Sequence, residues 1–163
     1  MHALDLLALP VIARLCLVIM FPFSGLDKIV HWRDALKQAR SSFVPGAPFL
    51  LVLAILVEFV TPVCIVTGWH DRIAAFVLAG FCVVTALLYH PFWTFPHFWS
   101  QDGAGRSHFW DFLKNFGLTG GLLLLVIGGP PVPASAVLHA PLSAAPYSAS
   151  YAASNPQPSG ETR

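Results

Sequence analysis

The chain has 163 residues, of which 56% are hydrophobic and only 10% are charged, whereas about 25% of residues are charged in an average soluble domain. Nine Lys and Arg residues nearly balance eight Asp and Glu residues, so there is no basic excess to neutralise a phosphate backbone. The composition therefore predicts a membrane protein and excludes nucleic acid as a partner.

Four hydrophobic stretches are long enough to cross a hydrocarbon core of about 30 Å, at about 1.5 Å per helical residue. They are residues 4–26, 49–68, 73–89 and 112–128. Backbone groups in lipid must be paired internally, so these stretches predict an all-α fold, a polytopic four-helix bundle over residues 1–128. A signal peptide is disfavoured for the first stretch because it lacks a basic start and a cleavage site.

The segments between these stretches differ in character. Residues 27–48 are polar, and we expect a short interfacial helix at 32–39. The second and third stretches are joined so closely that they must be antiparallel neighbours. Residues 90–111 are crowded with aromatic and His residues, which predicts a loop along the membrane surface. Residues 129–163 are rich in Pro, Ala and Ser, which predicts a disordered tail.

The basic residues predict the orientation in the membrane. Six of the nine Lys and Arg residues lie in or beside the first and third loops. Because loops facing the cytoplasm carry an excess of Lys and Arg, loops 27–48 and 90–111 are predicted to be cytoplasmic. Both termini then face outward.

Two opposite charges lie inside the first two stretches, Arg14 and Glu58. An intramembrane charge costs at least about 2.5 kcal/mol on insertion scales, so we predict that the two residues pair. The pair either fixes helix register or forms a polar pocket for a head group or a proton. If the first helix instead starts at Pro10, Arg14 is only a turn deep and can extend to the surface.

Other polar features accompany this pair. Pro62 lies four residues after Glu58 and has no N–H to donate to the Glu58 carbonyl. The free carbonyl indicates either a polar notch or an ordinary proline kink. Lys28, His90 and Lys114 fall on the same side of the membrane. They form either an anion- or quinone-binding set or a group of basic side chains reaching from helix ends toward water.

Several glycines have predicted structural roles. Gly25 belongs to the small-residue face of the first helix, and Gly68 ends the second stretch. Gly117 and Gly121 form a G-x-x-x-G pattern that lets another helix approach the fourth closely.

The sequence has few signals for metal or covalent chemistry. Its seven His residues include no H-x-x-x-H pair on a helix, so no metal site is predicted. The three cysteines lie in separate apolar stretches and predict neither a disulfide nor a thiol-redox pair. There is no motif for a covalently bound cofactor, so any catalysis would need a partner subunit.

Taken in order, these residues resemble the DoxX family of small bacterial membrane proteins. The matching residues are Arg14, Gly25, Lys28, Glu58, Pro62, Gly68, Arg72, the His90-x-Phe92-Trp93 pattern, and Lys114-Asn115-Phe116 leading into Gly120-Gly121. The resemblance covers residues 4–128 and implies a multi-pass protein of the bacterial inner membrane. The family is named after a membrane subunit linked to thiosulfate:quinone oxidoreductase.

The resemblance implies one function, and the residues leave a second open. The first is a membrane anchor or quinone-facing subunit of a redox complex, with a peripheral redox subunit as partner and Arg14, Glu58 and His90 lining the site. The alternative is a non-catalytic scaffold protein in which the same charges only hold the bundle together. In both cases the lipid bilayer is a partner, and a homo-oligomer stays open.

Overall fold

The computed structural model describes residues 2–41, 44–99 and 103–128, and every regular element within them is helical. The elements are α1 His2–Val18, α2 Met20–Val30, α3 Trp32–Ser41, α4 Ala47–Thr67, α5 Asp71–Tyr89 and α6 Ala104–Ile127, with a 3-10 turn at Phe92–Thr94. The predicted all-α fold is confirmed. The predicted disordered tail, residues 129–163, lies outside the described residues.

The chain divides into two units, residues 14–127 and the two chain ends, 1–13 with 128–163. Of the second unit, the described part is the start of α1 from His2 onward and Gly128. Every contact considered below lies within residues 14–127, which contain most of the helical bundle.

Within the described residues, four helical segments are long and apolar enough to cross a membrane. They are Pro10–Val30, Ala47–Thr67, Asp71–Thr94 and Ala104–Ile127. Large apolar side chains such as Phe23, Phe49 and Leu124 are mostly exposed on them, which suits contact with lipid tails. The helix that opens the first segment, α1, begins at His2, and the last segment begins earlier than predicted. Charged and aromatic side chains in residues 104–111 lower the hydropathy there without ending α6.

A proline explains why the first membrane segment contains two helices. Pro22 lacks the N–H that would donate to the Val18 carbonyl, and its ring crowds that carbonyl. The helical path continues through Ile19, whose N–H donates to the Leu15 carbonyl at 2.9 Å. The interruption separates α2, which carries the polar residues of the site, from α1.

The apolar core is centred on α5, which packs against both α4 and α6. Leu78 and Cys82 of α5 are fully buried, as are Ile65 of α4 and Leu122 of α6. Buried alanines along α5 let neighbouring helices come close, as small residues do in membrane bundles. In addition, α2 and α3 both pack against α4.

The bundle has two ends that differ in structure. At one end, α2 and α5 end, α4 and α6 begin, and α3 lies between α2 and α4; this is the α3 end. At the other, residues 68–70 join α4 to α5; this is the turn end. Gly68 and His70 both have positive φ there, 77° and 50°, which ends α4 sharply and reverses the chain.

Candidate functional site

A buried charged cluster joins α2 to the middle of α4. Lys28 Nζ lies 2.8 Å from Glu58 Oε1 and 2.6 Å from Ser24 Oγ. The Ser24 hydroxyl donates to the same Glu58 oxygen at 2.9 Å. Ser24 and Lys28 are four residues apart on α2, so both point to the same side of the helix. Glu58 is only 2% exposed, which makes this an ion pair in a low-dielectric setting.

Gly25 sets the distance between the two helices that carry the cluster. A Cβ atom at this position would lie 2.8 Å from Cε2 of Phe59, the residue after Glu58. Real Cβ atoms do not approach other atoms so closely, so a side chain at Gly25 would require either the Phe59 ring or the two helices to move. The glycine therefore brings Lys28 within reach of Glu58.

A cavity of about 570 Å³ opens beside the cluster. Its size falls within the range of roughly 300–1,000 Å³ that is usual for small-molecule sites. Its apolar lining comes from α2, α3, α4 and α5 and includes Met20, Phe21, Leu50, Leu51, Ala54, Val57, Phe81, Val84 and Leu88. Its polar lining includes Ser24, Lys28, Gln38, Glu58, Thr85, Tyr89, His90 and Asn115. The cavity is thus mostly apolar, with polar groups at a few points.

His90, at the end of α5, is one of the polar groups that line the cavity near the α3 end. Its Nδ1 lies 3.3 Å from Nδ1 of His108 and 4.0 Å from Oδ2 of Asp111. Asn115 lines the same cavity and donates one amide N–H to the Asp111 carbonyl at 2.9 Å. These contacts attach the rim of the cavity to α6.

Lys114 had been predicted to share a binding set with Lys28 and His90. The structure brings Lys28 and His90 to one cavity, but the residues lining that cavity do not include Lys114. The Lys114 side chain is 70% exposed and pairs with Asp111 at 3.0 Å. It is exposed on the surface of α6 and does not line the cavity.

Arg14 lies at the turn end, and its predicted pairing with Glu58 is wrong. Its Nη2 lies 2.5 Å from Asp71 Oδ2, and its Nη1 donates to the Ile65 carbonyl at 3.0 Å. That carbonyl is among the last four of α4, which have no partner within the helix. Arg14 thus closes the end of α4 and binds the start of α5.

The difference in depth explains why this prediction failed. Arg14 contacts Ile65 and Asp71, at the end of α4 and the start of α5. Glu58 lies near the middle of Ala47–Thr67. The two charges are therefore at different levels of the bundle, and each has a closer partner.

Sequence reasoning missed several residues of both charged sites, namely Ser24, Asp71, Tyr89 and Asn115. Ser24 was detectable, because it precedes Lys28 by four residues and so shares its helix face. Asp71 was also detectable, since a carboxylate in the first turn of α5 lies beside the end of α4 where that helix needs a donor. Asn115 was noted only as part of the Lys114-Asn115-Phe116 resemblance, and no comparable pattern indicated Tyr89.

The G-x-x-x-G pattern of α6 has two different surroundings. A Cβ atom at Gly121 would lie 2.9 Å from Cδ1 of Leu17, so α1 approaches α6 closely there. At Gly117 no atom lies within 4 Å of such a Cβ. Among the described residues there is no group of three or more His, Cys, Asp or Glu side chains arranged to hold a metal ion.

The four membrane-crossing segments and the two inter-helix ion pairs define a small polytopic helical membrane protein. The DoxX family model matches residues 9–91. The chain belongs to the DoxX family. It is 34% identical over 119 residues to the inner membrane protein YqjF of Escherichia coli (strain K12), covering 73% of this chain and 82% of that protein.

A second relative gives the same result. The inner membrane protein YphA of the same Escherichia coli strain is 28% identical over 120 residues, covering 73% of this chain and 81% of YphA. No solved structure matches this chain significantly. The residues matched by the family model, 9–91, include both charged sites, and the chain is an integral membrane protein of this family.

Proposed function

We propose that this protein is the quinone-binding membrane subunit of a redox complex, and that the cavity beside Glu58 receives the quinone head group. The observation that supports this is the cavity itself, about 570 Å³ in volume and lined by both apolar and hydrogen-bonding side chains. A ring with polar oxygens and an apolar tail matches that combination.

Different lining residues would contact different parts of the ligand. Leu50, Leu53 and Val84 are among the apolar residues that accommodate the ring and the first part of the tail. Tyr89 and Asn115 carry an O–H and an N–H suited to an oxygen of the head group. Of the residues predicted from sequence to bind the ligand, the proposal keeps Glu58 and His90, with Lys28 as the counter-charge of Glu58.

Electrons for the quinone have to come from another protein, because the chain has no cofactor motif of its own. We place the docking of such a peripheral redox subunit at the α3 end. Arg33, Lys37 and Arg40 recur on α3 at helical spacing and are exposed there. This basic stripe suits an acidic partner surface, whose approach it would accelerate.

We also propose the membrane in which the protein lies and its orientation there. Both relatives are inner membrane proteins, and we assign this chain to the same membrane, with the α3 end facing the cytoplasm as the positive-inside rule predicts. Reporter fusions to the C-terminal tail test the orientation. A tail reporter that works only in the cytoplasm would reverse it.

Ligand binding is tested by thermal unfolding of the purified protein in mild detergent with a short-chain 1,4-benzoquinone. A ligand that binds only the folded state raises the stability by RT ln(1 + [L]/Kd). We expect a concentration-dependent rise in Tm for the parent protein and a weaker response for His90→Ala. The matched control is Lys114→Ala, which removes a polar side chain outside the cavity and should respond like the parent.

The scaffold function is the second candidate, and the Arg14 site favours it. Arg14 ties α1 to both α4 and α5 through Ile65 and Asp71, a contact that strengthens the bundle without forming a pocket. If saturating quinone leaves the Tm of the folded protein unchanged, the quinone role fails and the scaffold function takes its place.

A further inference from the structure

Around the Lys28–Glu58 pair, the hydrogen-bond donors of the side chains are all used, whereas one acceptor is not. The Lys28 ammonium has three N–H bonds, and three acceptors surround it: Glu58 Oε1 at 2.8 Å, Ser24 Oγ at 2.6 Å and the Ser24 carbonyl at 3.5 Å. The Ser24 hydroxyl donates to Glu58 Oε1. Neither side chain therefore has a donor left for a ligand.

By contrast, the second carboxylate oxygen of Glu58, Oε2, is buried and has no hydrogen-bond partner among the described residues. An unsatisfied buried acceptor costs about 1–3 kcal/mol, and more when it is charged. Glu58 lines the cavity, so a ligand there that brings a donor within hydrogen-bond distance of Oε2 would satisfy this acceptor.

We propose that the cavity prefers the hydroxyl-bearing quinol over the quinone, because only the quinol donates an O–H to Glu58 Oε2. A quinone offers carbonyl oxygens alone, which only accept. Beside Oε2 such an oxygen meets a second acceptor and finds no donor on Lys28 or Ser24. This inference rests on the proposed function and specifies which form of the ligand the site selects.

The rim does not cancel this preference. The phenol of Tyr89 and the second amide N–H of Asn115 line the same cavity and are donors. A quinone carbonyl and a quinol hydroxyl oxygen both accept from them. These donors therefore bind both forms. The lining carboxylates Asp27, Asp34 and Glu58 accept only from the quinol, and of these Glu58 has the buried oxygen without a partner among the described residues.

Selecting the quinol has a redox consequence. Reduction of a quinone takes up two electrons and two protons, and tighter binding of the product makes that reduction more favourable in the site than in the bilayer. A tenfold preference corresponds to about 30 mV for a two-electron couple. The site would thus favour electron transfer from the peripheral redox partner to the bound quinone.

The test compares three ligands of nearly the same shape by thermal unfolding and direct titration of the full-length protein. They are a short-chain 1,4-benzoquinone, its quinol kept reduced under argon, and the dimethyl ether of that quinol, which has no O–H. We expect the quinol to bind at least tenfold more tightly than the other two. Equal binding of quinol and ether, or tighter binding of the quinone, would overturn the inference.

Two variants assign the effect to Glu58. Glu58→Gln places an amide N–H at the position of Oε2 and should reverse the preference, so that the quinone binds better than the quinol. Asp71→Asn makes the same chemical change at the turn end and should keep the quinol preference. If Glu58→Gln does not fold, Lys28→Met with Glu58→Gln removes the unpaired charge and should also lose the preference.

The outcomes separate the two proposals. If the quinone binds as tightly as the quinol and His90→Ala weakens both, the quinone function stands and the quinol preference fails. If none of the three ligands binds the folded protein, both fail. A quinol preference that persists in Glu58→Gln would mean that another group holds the hydroxyl.

Discussion

Two ion pairs join the first membrane segment to carboxylates on later helices, one at the turn end and one nearer the α3 end, and the two pairs differ in burial. At the turn end, the Arg14 and Asp71 side chains are both 26% exposed. At the α3 end, Lys28 is 26% exposed but Glu58 only 3%. The first pair is open to the membrane surface and closes a helix end. The second holds a charge deep beside a cavity.

This difference in burial decides what each pair contributes. Partly exposed ion pairs add little stability, about 0–1 kcal/mol, unless further hydrogen bonds support them, as the Ile65 carbonyl supports Arg14. A buried pair has a large desolvation cost and is weak grounds for stability by itself. One Glu58 oxygen also has no hydrogen-bond partner among the described residues, which supports the proposed ligand site.

Breaking the deeper pair is expected to give the largest effect. Lys28→Met leaves the Glu58 carboxylate buried without a counter-charge, which should reduce the free energy of unfolding by about 3–5 kcal/mol. Lys114→Met removes the same charge from an exposed pair and should change it by no more than about 1 kcal/mol. Thermal and denaturant unfolding in detergent measures both variants.

The double variant Lys28→Met with Glu58→Gln serves as the control for this prediction. It removes the stranded charge, so it should be more stable than Lys28→Met alone. Losses that simply add would mean that Lys28 and Glu58 do not interact, and the contrast between the two ends would disappear.

Breaking the pair at the turn end is expected to cost less. Arg14→Leu removes charged hydrogen bonds to Asp71 and to the Ile65 carbonyl, each kind worth about 1.5–3 kcal/mol before solvent exposure reduces it. We expect a loss of about 2 kcal/mol, of which Arg14→Lys restores only part, because an ammonium cannot copy the planar fork of the guanidinium. Quinone binding should be unchanged.

A double-mutant cycle identifies the partner of Arg14. Arg14→Leu combined with Asp71→Asn should show a coupling energy, whereas Arg14→Leu combined with Glu58→Gln should be additive within about 0.5 kcal/mol. Coupling between Arg14 and Glu58 would support the pairing expected from sequence and contradict the structure.

The all-α fold and the membrane segments were predictable from sequence because hydrophobicity and segment length dominate in a bilayer. Lys28, Glu58 and His90 were also identified individually. Lys28 and His90 were placed together as well, but Glu58 was paired with Arg14, because depth was inferred from where hydropathy rises. In the structure Arg14 contacts the end of α4 and the start of α5, and Glu58 pairs with Lys28.

The cavity could not be predicted from sequence, for a different reason. Its wall combines side chains from α2 through α6, and contacts between distant parts of a chain have no local periodicity that a sequence would reveal. Gly25 shows the limit well. The sequence placed it on a small-residue face, but only the structure shows that Phe59 fills the space.

The spacing between α2 and α4 provides the next prediction. Gly25→Ala places a Cβ within 2.8 Å of the Phe59 ring and should cost about 1–2 kcal/mol, toward the low end for overpacking because the ring can turn. Gly117→Ala on α6 meets no atom within 4 Å and should be neutral in a monomer. The comparison of Tm values for these two alanines is the measurement.

A large loss of stability in Gly117→Ala would contradict this expectation for a monomer. It would show that a second copy packs against α6 at this glycine. Size-exclusion chromatography with light scattering would then show a dimer that the variant disrupts.

The smallest expected effect comes from comparing two threonines with the same local hydrogen bonds, only one of which lines the cavity. Thr85 donates to the carbonyls of Phe81 and Cys82 at 2.9 and 3.1 Å. Thr67 makes the same contacts at the turn end, with the carbonyls of Val63 and Cys64 at 2.7 and 3.3 Å. Thr85 lines the cavity, whereas Thr67 is exposed. The two residues thus share their local bonding and differ in location.

Because each hydroxyl bonds only to its own helix, changing either threonine to alanine should alter the free energy of unfolding by no more than about 0.5 kcal/mol. The two alanine variants should differ in their affinity for the quinol. Thr85→Ala enlarges the cavity and removes a polar group from its wall, so we expect Kd to rise about twofold to threefold, equivalent to about 0.4–0.7 kcal/mol. Thr67→Ala should leave Kd unchanged. Titration of both variants measures this, and equal Kd values for the two would place the bound quinol away from the Thr85 wall.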